Sequence, residues 1–165
     1  MWLAYQDRLQ TGENLKKRHW KGDGSCCVCK VLESLDHIFF MCPIALFTRA
    51  CAKDALGWER IPNSMSDFLE GWLPLGCRNY GQELIIFAGV LWSLWTTRNK
   101  MAIEGVFLKN PTDMIFKIDS HLQRWRVLLR AADQAFLDGW RPQVKTWLES
   151  FLEKIHDRPP DFDFL

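Results

Sequence analysis

A chain of 165 residues with a net charge of +1 suits one ordinary domain, or a small module joined to a helical one. Its bulk charge announces neither a nucleic-acid nor a membrane partner, while nine Trp and eleven Phe argue for a packed core over disorder. Asp7 and Arg8 interrupt the only apolar stretch at the start, and the longest apolar run, residues 84–95, is too short for a bilayer. A secretory signal and a membrane partner are therefore not expected, and the six cysteines read as thiols or metal ligands rather than disulfides.

In chain order, residues 1–10 can form a first helix, and Thr11 can cap a second one reaching Arg18. Gly22, Asp23, Gly24 and Ser25 make a turn-rich entry to the cysteines, where a short hairpin is the only strand structure expected. Pro43 suits the first position of a helix that stops at Gly57. Ser64 with Asp67 resembles a capping box ahead of Phe68, Leu69 and Trp72. A long helix over 79–104 is apolar nearly all round, as expected of a buried bundle helix. Asn110-Pro111 starts another, expected to persist to about Leu137. Pro142 then opens a last helix with Val144, Trp147, Leu148, Phe151, Leu152 and Ile155 on one face. The expected fold is mainly α: a zinc-binding module with flanking helices over 1–60, a helical bundle over 61–155, and a disordered acidic tail over 156–165.

The residues with the clearest chemistry are spaced Cys26-x2-Cys29-x7-His37-x4-Cys42. A tight turn lets two cysteines three apart face one ion, and a helical turn or loop can bring His37 and Cys42 to the same centre. Four S and N ligands fill a zinc tetrahedron and leave no position for water, so the predicted cofactor is one structural zinc ion. The competing reading makes the three cysteines buried hydrophobes and His37 a satisfied core histidine. Cys27 can replace Cys26 only as a poorer hook. Cys51 and Cys77 lack partner spacing and read as core thiols. Asp36 is either a second acceptor behind His37 or a solvated acid. A segment this small rarely stands without a staple, so chelation is expected to unfold 22–43 while much of the helical remainder persists.

The words Asp7-Arg8-Leu9-Gln10-Thr11, Asn14-Leu15-Lys16-Lys17-Arg18, Glu33-Ser34, Asp36-His37-Ile38-Phe39-Phe40 and Cys42-Pro43, in order with the cysteine pair, resemble the zinc-binding domain that follows the reverse transcriptase in plant LINE-type retrotransposons. Residues 92–100 (WSLWTTRNK) look like the tryptophan-rich helix after it. The resemblance implies zinc on Cys26, Cys29, His37 and Cys42, and a nucleic-acid context. The chain carries neither the polymerase nor the ribonuclease H of the parent polyproteins, so it looks like a solitary fragment with no enzymatic activity implied.

Nucleic acid, RNA or DNA, is the leading partner expectation. Lys16, Lys17, Arg18 and Lys21 can contact phosphates and Trp20 can stack on a base, with Arg98, Lys100, Arg124 and Arg126 extending the surface. Equally, Lys16 to Arg18 can be a solvated helix face and Trp20 can pack on the zinc core. The segment over 95–130 carries seven bases against three acids, and that over 131–165 four against seven. A rival class is a protein-interaction or self-association module, docking through the apolar face around Trp147, Phe151 and Trp140. Catalysis is not expected: Asp119 and His121 point to different faces, and Ser120 and Ser150 sit beside no evident base. The expected location is intracellular, with the nucleus open to a chain of this size.

Overall fold

The computed structural model describes residues 2–58, 60–68, 70 and 80–156. Helices α1 (Trp2–Tyr5) and α2 (Gly12–Lys17) precede the cysteine pair, and a π-helical turn (His37–Met41) leads from it into α3 (Pro43–Leu56). The short α4 (Met65–Asp67) is followed by three long helices, α5 (Tyr80–Glu104), α6 (Asp113–Arg126) and α7 (Ala131–His156). The sole β pairing among the described residues is one antiparallel bridge, Ser25 with Leu32, the remnant of the hairpin expected there. The fold is mainly α, a small Cys3His module near the N-terminus followed by a helical bundle.

Local chemistry sets most of these boundaries. The Thr11 hydroxyl accepts the Asn14 N–H at 3.2 Å, satisfying one orphan donor of α2, a contact worth about 1 kcal/mol. The first helix is shorter than the sequence suggests. Asp7 takes φ 49°, and the Asn14 side-chain amide donates to the Asp7 and Leu9 carbonyls at 2.8 and 3.1 Å. Those carbonyls serve the turn that carries the chain back over α2. Pro43 begins α3, and Gly57, at φ 64°, ends it in the left-handed conformation that a Cβ disfavours. Ser64 caps α4 by accepting the Asp67 N–H at 3.0 Å. The box is only half formed, because the Asp67 carboxylate reaches back to the Asn63 N–H instead. Leu69, Trp72 and Cys77 lie outside the described residues.

Two boundaries at the C-terminal end differ from expectation. The helix begun after Pro111 stops at Arg126, and α7 starts at Ala131 and runs straight through Pro142. Leu137, Trp140, Val144 and Leu148 are all buried at helical spacing, so the core-facing stripe continues across the proline. Pro142 itself lies on the solvent side, where the carbonyl it cannot bond is free to meet water. Arg126 clamps the α6–α7 corner with two bonds to the Asp138 carboxylate, at 2.8 and 2.6 Å. The expected tail over 156–165 lies, beyond His156, outside the described residues.

Helix α5 is the axis of the molecule, packing on α6 most extensively and also on the π turn, α3 and α7. A Cβ at Gly89 would stand 2.9 Å from Leu122 Cδ2, so this glycine sets how closely α5 and α6 approach. Phe39 and Phe40 of the π turn belong to the same buried cluster as Phe87, Val90 and Leu94 of α5, Met114 and Ile118 of α6, and Leu137 of α7. One apolar core therefore runs across residue 60, from the cysteines to the last helix.

Candidate functional site

The Cys26–Cys29 loop is built by backbone bonds that need no metal. The Cys26 N–H donates to the Val31 carbonyl at 2.8 Å, and the Lys30 N–H returns to the Cys26 carbonyl at 2.9 Å with Lys30 at φ 63°. The Val28 N–H points at Cys26 Sγ, 3.4 Å away. On the other side, the Ser34 hydroxyl accepts the His37 N–H at 3.0 Å and starts the turn. On an α-helix, residues five apart point about 140° away from each other. Here the wider π turn, closed by the Cys42 N–H on the His37 carbonyl at 2.8 Å, brings imidazole and thiol to one centre.

The donor atoms of Cys26, Cys29, His37 and Cys42 all lie within 4.8 Å of one another. Cys26 Sγ is 3.9 Å from Cys42 Sγ, and Cys29 Sγ is 3.3 Å from His37 Nε2. Zinc bonds of about 2.3 Å to sulfur and about 2.05 Å to nitrogen give tetrahedral edges of about 3.8 and 3.6 Å, close to both values. The four groups fit one zinc ion, which would supply a cross-link between the loop, the π turn and the start of α3. Cys27 is outside the cluster.

Burial pushes the Cys42 thiol up to about 12, with neighbouring Cys26 adding to the rise, so it yields its proton only to a compensating cation. Burial likewise holds the His37 imidazole below its ordinary value, despite an opposing pull from Glu33; it stays neutral at pH 7, the form that ligates. Asp36 takes neither role anticipated for it. Its carboxylate accepts the Met65 N–H at 2.9 Å, tying the metal loop to α4.

The expected nucleic-acid residues divide sharply. Arg98 is turned inward, with Nε 2.9 Å from both oxygens of Glu33, which also accepts the Gly12 N–H at 3.2 Å. It therefore does not extend a phosphate-binding surface. Lys17 is held by Glu13 at 3.1 Å and Asp7 at 3.6 Å. Lys16, Arg18 and Lys21 are exposed and make no ion pair among the described residues. The Trp20 ring lies across Gly22 and is half exposed, so it neither enters the zinc core nor projects freely. Lys100 is exposed, and its charge adds to burial in lowering the Lys117 ammonium.

Two further features escaped the sequence. Ser93 Oγ is hydrogen-bonded to His121 Nδ1 at 2.9 Å, but the serine is completely buried, so the pair is a contact between α5 and α6. Residues 28 apart give no local signal of such a bond. The apolar face of α7 meets α3 in part: Phe151 packs edge-on to Phe47 at 6.0 Å, and Trp147 Nε1 donates to Asp54 of α3 at 2.5 Å, while Leu152 stays exposed.

Fold and site together define a small Cys3His zinc-binding protein with a helical body. Residues 1–48 match the family described as zinc-binding in reverse transcriptase, and this match takes in all four ligands. Comparison with curated proteins and with solved structures finds no match. Among the described residues, no helix is long and apolar enough to cross a membrane.

Proposed function

We propose that the protein is a zinc-stabilised nucleic-acid-binding module, derived from a plant LINE-type retrotransposon, acting inside the cell and without catalytic activity of its own. The observation that carries this reading is a set of three exposed cations beside the metal loop. Lys16, Arg18 and Lys21 are exposed and make no ion pair among the described residues, next to the half-exposed indole of Trp20. The family match supports it, since a reverse transcriptase works on RNA and DNA. Lys100 and Lys117 add a second positive spot on the α5–α6 side.

The reading is tested by fluorescence anisotropy of labelled single strands across about 50 to 200 mM salt. Affinity is expected to fall steeply, with a slope of about −0.7 per phosphate contacted, and Lys21→Ala should make that slope shallower. Affinity indifferent to salt would refute the proposal. The alternative is docking of a protein through the Trp147 and Phe151 face, whose rings pack in part on α3 and stay half-buried.

A further inference from the structure

A groove of about 590 Å³ opens between α1, α5 and α6. Four of the nine tryptophans, Trp2, Trp92, Trp95 and Trp125, line it. Such a volume is in the range of small-ligand sites, about 300–1,000 Å³. Trp2 is 67% exposed and Trp92 46%, an unusual amount of indole surface to leave in water. The rings are not loose. Trp2 is stacked on Tyr5 with centroids 5.7 Å apart, His121 is stacked against Trp125 at 6.2 Å, and the Arg98 guanidinium lies 5.4 Å over Trp95.

We propose that this groove takes unpaired nucleobases of a single strand, an inference that rests on the nucleic-acid reading above. The charge of the lining points to that occupant. Arg8 is the one charged residue among the described residues that line the groove, it is exposed, and it makes no ion pair among them. A bound strand would set its bases on the indole faces and a phosphate on the Arg8 guanidinium, with the Gln10 amide beside the base edges. An extended polypeptide fits less well, because its main-chain N–H and C=O groups need partners, and Gln10 and Arg8 are the polar side chains offered.

The test compares two labelled strands of about a dozen nucleotides, one of thymidines and one abasic with the same number of phosphates, on the zinc-loaded full chain. The thymidine strand is expected to bind on the order of tenfold more tightly, the effect of stacking a base on an aromatic ring. Trp92→Ala should erase most of that difference and leave the abasic strand's affinity unchanged. Trp2→Ala, at a more exposed ring, provides a second variant should Trp92→Ala fail to fold, with zinc content as the folding control. Arg8→Gln should weaken both strands. Equal affinity for the two strands, or tryptophan variants that bind as the wild type does, would overturn the groove assignment alone and leave the groove to another partner such as a polypeptide. Binding of neither strand would overturn the nucleic-acid function itself.

Discussion

Arg98 and Glu33, 65 residues apart in the chain, form an ion pair in which the glutamate side chain is 2% exposed and the arginine side chain 15%. Glu33 also takes the Gly12 N–H through its carboxylate, and its backbone pairs with Gly24 and Glu13. One acid thus joins α2, the metal loop and α5. Removing a single partner leaves a buried charge without compensation, at a cost of about 3–5 kcal/mol. Arg98→Ala is therefore expected to lower the urea midpoint severely, while the conservative double change Glu33→Gln with Arg98→Gln loses much less. A wild-type melt for Arg98→Ala would remove the pair from any structural role.

One zinc per chain is expected by mass spectrometry of purified protein. Cys29→Ser should lose it and Cys27→Ser should keep it, because Cys27 lies outside the donor cluster. The reverse pattern would assign the site to the wrong pair. Structural zinc in small modules contributes on the order of 10–16 kcal/mol at neutral pH. Since Phe39 and Phe40 share their core with Phe87 and Val90, chelation is expected to broaden or lower the unfolding transition of the whole molecule. This outcome replaces the local unfolding anticipated from sequence. A helical signal and thermal transition unchanged by chelator would contradict it.

Acid should destabilise the protein through half-buried His121 and buried His37. Burial first, then Lys117 and Arg124, hold His121 below the ordinary imidazole value of 6.5. The unfolded chain therefore takes up this proton more readily than the folded one. The stability contribution is full above about pH 6.5 and is lost as pH falls through the lower folded value. His37 is shifted in the same direction by its burial. In zinc-loaded protein, His121→Gln should flatten the fall of Tm with acid while leaving the part due to the metal site. Parallel curves for variant and wild type would show that the Ser93–His121 contact carries no linkage.

Pro142 stands inside α7 on its solvent side and cannot donate to the Asp138 carbonyl. Pro142→Ala restores that bond and the better helix former, and should stabilise by about 1–3 kcal/mol. A loss of stability, read by urea denaturation, would mean that the proline sets the path of α7.

Much of this molecule is written locally in its residues. Thr11, Pro43, Gly57 and Ser64 mark helix ends because each acts within about one turn of itself. The four metal ligands were legible for a similar reason, since thiols and imidazole at such spacing have few other uses. Where local signals competed, they misled. Pro142 marks a helix start when read alone, but the buried stripe from Leu137 to Leu148 carries the helix past it.

Long-range pairing had to wait for the tertiary structure. Arg98 in sequence is one more cation on a basic helix, and only the arrival of Glu33 beside it turns it into an internal anchor. Ser93 and His121, Asp36 and the Met65 N–H, and Phe151 with Phe47 are likewise partners chosen by packing. The physical reason is common to all of them. Helix caps and metal-ligand spacing depend on a few neighbouring dihedrals, so residue order alone determined them for this protein. Which charge is neutralised, which indole is left open and where one core ends depend on which surfaces the folded chain presses together, and only the tertiary structure decided that.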